Sequence, residues 1–85
     1  MPTTLLNKEN EFRANVTATM DSVTFLIKGG SAECLVYMPP GTHLATKEGS
    51  SAGSPVTVNG VMVGQLIQVQ INPSNSKLGN ATVTY

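Results

Sequence analysis

The feature that most constrains the fold is the alternation of apolar and polar residues between Phe12 and Met38. A period of two residues is typical of a β-strand with one buried face, because successive side chains point to opposite sides of a sheet. The alternation pauses at Asp21-Ser22 and at Gly29-Gly30 and then resumes. If each pause is a tight turn, the pattern predicts three consecutive strands with one common buried face.

These three strands are expected to form an antiparallel meander. Gly-Gly suits a type I′ hairpin turn, because glycine readily adopts the positive φ that both turn positions need. The Asp-Ser pair is a weaker turn signal and depends on the match in register. The resulting register places Met20 opposite Val23 and Phe25 opposite Cys34, all on the buried face.

The reverse face of the meander is not uniformly polar. It carries Leu26, Leu35 and Tyr37, with Lys28 and Glu33 as a cross-strand charge pair near Gly-Gly. A face exposed to solvent does not need these large apolar side chains. We therefore expect it to be covered, either by the second half of the chain or by a second subunit.

The predicted interface residues are Leu26, Leu35, Tyr37 and the C-terminal Tyr85. Tyr85 is included because it ends a strand-like segment that could pair with the edge of a neighbour's sheet. The N-terminal arm, residues 1–11, offers a second segment for such pairing.

The second half of the chain also alternates between turn signals. Asn59-Gly60 separates residues 56–58 from residues 61–63 and predicts a type I′ hairpin. Further strands are expected near residues 67–71 and 81–85. Residues 49–54 consist of Gly, Ser and Ala, which have little to bury, and predict a mobile loop.

The predicted fold class is therefore all-β. We expect about seven short strands, built from hairpins, in a small antiparallel sandwich or barrel that forms a single domain over residues 12–85. A chain of 85 residues buries only about 60–65% of its unfolded surface, so its core is thin. With one cysteine and one histidine, neither an internal disulfide nor a metal site is expected, which leaves oligomerisation as the supplementary source of stability.

Candidate catalytic groups are few. A nucleophilic mechanism would have to combine Cys34, or a serine, with His43. Cys34 falls on the buried side of the alternating pattern, where apolar surroundings make a thiol unreactive. His43 has no companion histidine or cysteine with which to bind a metal. We expect no enzymatic activity and no cofactor.

The balance of charged residues indicates which partners the chain can attract. Five basic and five acidic residues give a formal net charge of zero. The cations Arg13, Lys28, Lys47 and Lys77 are too dispersed to form a basic groove, which disfavours nucleic acid as a partner. No apolar run reaches the length of a membrane span, and the N-terminus does not resemble a signal peptide, so we expect synthesis in the cytoplasm and no membrane span.

These expectations describe a non-enzymatic structural or interaction protein whose main partner is another copy of itself. A charge-poor β-chain rich in Thr, Val, Ser and Asn is typical of small phage virion components, such as capsid decoration or tail proteins. Two alternatives stay open: a small inhibitor or adaptor that binds a host protein, and an OB-like protein that binds single-stranded nucleic acid.

Overall fold

The computed structural model of the chain describes residues 2–74 and 79–85. These residues form eight β-strands, one more than expected, and no helix. Threonine and valine recur along the strands, because their branched β-carbons favour extended backbone. The strands are β1 (Thr3–Leu6), β2 (Arg13–Thr17), β3 (Ser22–Lys28), β4 (Ser31–Tyr37), β5 (His43–Ser50), β6 (Val56–Asn59), β7 (Leu66–Pro73) and β8 (Asn80–Thr84).

The strands form two four-stranded antiparallel sheets that pack as a sandwich. Sheet A has the order β1-β8-β3-β6, and sheet B has the order β2-β7-β4-β5. The chain pairs with itself as one long hairpin folded at the β4–β5 turn, since β4 pairs with β5, β3 with β6, β2 with β7 and β1 with β8. Winding such a hairpin into two sheets gives the eight-stranded jelly roll.

The core lies between the two sheets and confirms the alternation read from the sequence. Every second residue of the central strands points inward and is buried, while its neighbours point outward. The fully buried residues of largest volume are Phe25, Leu6, Ile67, Ile71, Val23, Val36, Val58, Val69, Val83 and Cys34.

The predicted meander is wrong in its pairing. Strand β2 pairs with β7, β3 pairs with β6 and β8, and β4 pairs with β5 and β7. The chain therefore crosses between the sheets at residues 18–21 and again at Gly29-Gly30. The buried parity survives such a crossing, because the inner faces of both sheets point into the same core. Neither the Met20–Val23 pair nor the Phe25–Cys34 pair forms in a ladder, although Phe25 and Cys34 are both buried.

The predicted hairpin at Asn59-Gly60 is also wrong. Strand β6 ends at Asn59 and pairs with β3, whereas residues 60–65 connect β6 to β7 outside either sheet. Gly60 has a positive φ of +88°, which glycine favours, but the hydrogen-bonded turn of this connection lies further along the chain, between Met62 and Gln65. Beyond Gly60, Val61 is buried while Met62 and Val63 are exposed.

Two segments expected to be irregular belong to strands. Residues 3–6 of the predicted N-terminal arm form β1, and Leu6 is completely buried. Gly49 and Ser50, the first residues of the predicted loop, belong to β5. A β-carbon at Gly49 would lie 2.8 Å from Cγ2 of Val56 and 3.1 Å from Cγ1 of Ile27, so the small size of glycine at this position lets the two sheets approach each other.

Candidate interaction surfaces

Threonine is the most frequent residue on the outer face of sheet A. One row across all four strands consists of Thr3, Thr84, Thr24 and Thr57. The next row consists of Leu5, Thr82 and Leu26. We call the surface formed by these seven residues the threonine face.

The two leucines of the threonine face are open to solvent. Leu5 is 48% exposed and Leu26 is 43% exposed. Leu26 is uncovered because β6 begins at Val56, opposite Phe25, so that Leu26 has a strand neighbour on one side only. Exposed apolar side chains grouped in this way are typical of interaction sites.

The outer face of sheet B has a different chemistry. It carries the charged residues Arg13, Glu33 and Glu48, and Glu33 lies directly opposite Glu48 in the β4–β5 ladder. The predicted charge pair with Lys28 does not form, because Lys28 projects from the outer face of the other sheet. Lys28 is the one charged residue among the outward-facing strand residues that the structure describes in sheet A.

Three of the predicted interface residues do not share one face. Leu26 lies on the threonine face, whereas Leu35 and Tyr37 lie on the outer face of sheet B. The prediction of one patch is wrong for the same reason as the meander: β3 and β4 belong to different sheets. Leu35 is only 9% exposed, with Thr46 and Gln70 as its neighbours in the adjacent strands.

The aromatic residues Tyr37 and Tyr85 both have partners within the chain. The ring of Tyr37 meets that of His43 edge to face, with centroids 5.6 Å apart. The hydroxyl of Tyr85 is 2.8 Å from that of Thr4, and its backbone N–H donates to the carbonyl of Pro2. The carbonyl of Tyr85 accepts the N–H of Thr19. These bonds tie the two chain termini together.

Both edges of sheet A are capped by side chains. At β1 the amide Nδ2 of Asn10 donates to the carbonyl of Leu5 at 2.6 Å. At β6 the ammonium of Lys47 donates to the carbonyl of Thr57 at 2.9 Å. Unpaired carbonyls at a sheet edge would otherwise accept a strand from another chain. The caps therefore oppose growth of sheet A by edge pairing.

A second apolar surface lies at one end of the sandwich, in the connection from β6 to β7. Met62 is 59% exposed, Val63 is 65% exposed and Leu66, the first residue of β7, is 50% exposed. We call these three residues the apolar tip. The sequence analysis missed the apolar tip because it assigned residues 61–63 to a strand. Gly60 and Gly64 enclose only these three residues, which is short for a strand.

The two candidate catalytic residues, Cys34 and His43, do not form a site together. Cys34 is buried, and burial raises the pKa of its thiol from 9.0 to about 11. His43 bonds through Nε2 to the hydroxyl of Thr46 on the same strand. In residues 2–74 and 79–85 no group of three or more His, Cys, Asp or Glu side chains could hold a metal ion. Lys77, one of the dispersed cations, lies outside the described residues.

Comparison with known proteins gave no matching family model, no similar curated protein and no similar solved structure. Within the described part of the chain, no helix is long and apolar enough to cross a membrane. The structure therefore assigns the chain to a fold class only: it is a small all-β sandwich with the strand order of a jelly roll.

Proposed function

We propose that this chain is a non-enzymatic structural protein that works by homo-oligomeric assembly, with the threonine face as the contact between copies. The observation that carries the proposal is the row of Leu5, Thr82 and Leu26, which presents two exposed leucines on an uncharged part of the sheet. Burying those side chains against a partner is favourable, at about 25 cal/mol per Å² of apolar area.

The distribution of charge favours a second copy as the occupant of this face. In a twofold contact the same patch meets itself, so a charge near the axis lies close to its own copy. The seven residues of the threonine face are uncharged, and the one outward-facing charge on the described strands of sheet A, Lys28, lies at the end of β3. On the outer face of sheet B, a twofold contact would instead bring together two Glu33–Glu48 pairs, and like charges placed opposite one another are destabilising.

The capped edges favour contact through the face over contact through the edge. Asn10 and Lys47 occupy backbone carbonyls on the two edge strands of sheet A. A second copy that approached either edge would have to displace these side chains before it could form a ladder. Packing of two faces leaves both caps in place.

The finer proposal is that the assembly belongs to a virion, as a capsid decoration or tail protein. Jelly rolls form viral capsid domains, and they also form lectin domains and cupins, so the fold supports this assignment only as an analogy. The alternative of an OB-like nucleic-acid-binding protein has less support, since OB-folds are five-stranded barrels whereas this chain forms an eight-stranded sandwich.

Light scattering after size exclusion, over a series of protein concentrations, tests the assembly. We expect the wild-type protein to form an oligomer and Leu26→Lys to shift it toward monomer, because the substitution replaces an apolar side chain within the contact by a charged one. Gln68→Lys is the matched control, since it adds the same charge to an outward position on a central strand of sheet B, opposite the uncharged residues Asn15 and Tyr37.

Two outcomes would contradict the proposal. A wild-type protein that stays monomeric at its highest soluble concentration would overturn self-assembly and favour the adaptor alternative, in which the same face binds another protein. An oligomer that Gln68→Lys disrupts and Leu26→Lys leaves intact would place the contact on the opposite face.

A further inference from the structure

The apolar tip is built on a tight turn. The N–H of Gln65 donates to the carbonyl of Met62 at 3.1 Å, which places Val63 and Gly64 at the corners of the turn. Gly64 has a φ of +87°, as the third residue of a type II turn requires. Val63 therefore occupies a corner of this turn, where its side chain is exposed.

The backbone of the tip is already hydrogen-bonded within the chain. The N–H of Val61 donates to the carbonyl of Asp21, and that of Gly64 donates to the carbonyl of Ala18 at 2.8 Å. The N–H of Met62 lies 3.3 Å from the sulfur of Met38. Burying a polar group without a partner is unfavourable, so the internal bonds of these three N–H groups lower the cost of removing water from the loop.

The two ends of the sandwich differ in how many charged residues they carry. The connections at the tip end, residues 18–21, 38–42 and 60–65, contain a single charged residue, Asp21. The β1–β2 connection, at the opposite end, contains Lys8, Glu9 and Glu11. The apolar end of one molecule is therefore a poor match for the charged end of the next.

We propose that the apolar tip packs against the apolar tip of a second copy, as a contact separate from the threonine face. The inference rests on the proposed function and adds a second interface to it. Stable interfaces bury about 1,200–2,000 Å² in total, far more than three side chains can supply. The tip contact is therefore weak by itself and joins oligomers that the threonine face has already formed.

A bilayer is the competing occupant of the tip, and the charges disfavour it. Binding of a protein surface to lipid depends on buried apolar area and on attraction of basic residues to anionic headgroups. The tip end supplies only three exposed apolar side chains and one acidic residue, Asp21.

Assembly of three variants separates this inference from the proposed function. We expect wild type to form a small oligomer and then a larger one as concentration rises. Val63→Asp should keep the small oligomer and raise the concentration needed for the larger one at least tenfold, because it places like charges at the centre of the contact. Ser54→Asp, in the β5–β6 connection at the opposite end, is the control and should behave as wild type.

Each outcome has a definite meaning. A wild-type protein that stays monomeric overturns the proposed function itself. A small oligomer with no larger species, or a larger species that Val63→Asp leaves unchanged, overturns the tip contact alone. Wild-type binding to phosphatidylcholine vesicles that Val63→Asp abolishes, with self-assembly unchanged, assigns the tip to lipid instead.

Cross-linking provides a direct measurement of the contact. Val63→Cys and Ser54→Cys can be made in the natural background, because Cys34 is buried. We expect a short bismaleimide to couple two Val63→Cys chains at least tenfold faster than two Ser54→Cys chains at the same concentration. Equal rates would overturn the tip-to-tip contact.

Discussion

The outer face of sheet A presents threonines and two open leucines, whereas the outer face of sheet B presents charged residues around a leucine that is almost fully covered. The two sheets share one core and the same alternation along their strands. The two outer faces differ in the solvent exposure of their leucines: Leu35 on sheet B is 9% exposed, whereas Leu26 on sheet A is 43% exposed. An outward-pointing leucine is thus part of the fold in one sheet and available to a partner in the other.

The largest expected effect concerns the centre of sheet B, where Cys34 points inward. Burial raises the pKa of this thiol from 9.0 to about 11, so the unfolded chain loses its thiol proton at a lower pH than the folded chain does. The free energy of unfolding should therefore be unaffected by this group well below pH 9, should fall by about 2 kcal/mol as the pH rises to 11, and should lose about 3 kcal/mol in all above that pH.

Urea unfolding at several pH values measures the effect, with Cys34→Ala as the reference, because the variant differs from wild type only in this side chain. The wild-type free energy should fall more steeply than that of the variant between pH 9 and 11. If the free energies of unfolding of the two proteins depend on pH in the same way, the thiol of Cys34 is not buried in the folded state.

The next largest effect compares the two leucines directly. Leu35→Ala should reduce the free energy of unfolding by about 2 kcal/mol, because it removes a covered side chain. Leu26→Ala should change it by less than about 0.5 kcal/mol in the monomer, as exposed positions do. Denaturant unfolding at low protein concentration measures both, and equal losses would contradict the assignment of Leu35 to the fold and Leu26 to a partner.

A smaller effect is expected from the caps that distinguish the edges of sheet A. Asn10→Ala removes two hydrogen bonds, one to the carbonyl of Leu5 and one from the N–H of Asn7, whereas Lys47→Ala removes one. Each bond is worth about 1 kcal/mol, and both substitutions leave an edge carbonyl open. The double variant should aggregate faster than wild type on incubation, as followed by light scattering. Lys28→Ala removes the same charge without a cap and serves as the control; equally fast aggregation of this control would show that the caps do not protect the edge.

The smallest effect concerns the charges of sheet B. Glu48→Lys replaces the repulsion between Glu33 and Glu48 with attraction and should stabilise the fold by about 0.5 kcal/mol. The gain should shrink in high salt, since salt screens exposed charges. Thermal unfolding at low and high ionic strength measures it, and Glu9→Lys controls for the change in net charge. A gain that persists in high salt would have a cause other than charge.

The sequence was sufficient to predict the fold class and the inward-facing residues of β3 and β4, although it missed the buried Leu6. Alternation along β3 and β4 identified Val23, Phe25, Ile27, Cys34 and Val36 as inward-facing, and all are buried. It could not predict which strands pair, because a hairpin within one sheet and a crossing between two sheets leave the same apolar pattern. The Gly29-Gly30 turn is the clearest case, since it joins strands of different sheets.

The candidate surfaces were only partly predictable, because they depend on contacts between distant segments. Leu26 was identified from its parity, but its openness depends on where β6 begins, in a part of the chain about 30 residues away. The capping roles of Asn10 and Lys47 have no local signal, because each side chain reaches a strand other than its own.

The sequence alone determined that this chain is all-β, that it alternates into one apolar core, and that it carries little charge to direct a partner. Only the tertiary structure decided that the strands wind into a jelly roll, that the outward leucines are divided between two opposite faces, and that Met62, Val63 and Leu66 project at one end. The physical reason is that side-chain parity is a local property of each strand, whereas pairing and exposure depend on which distant strands become neighbours.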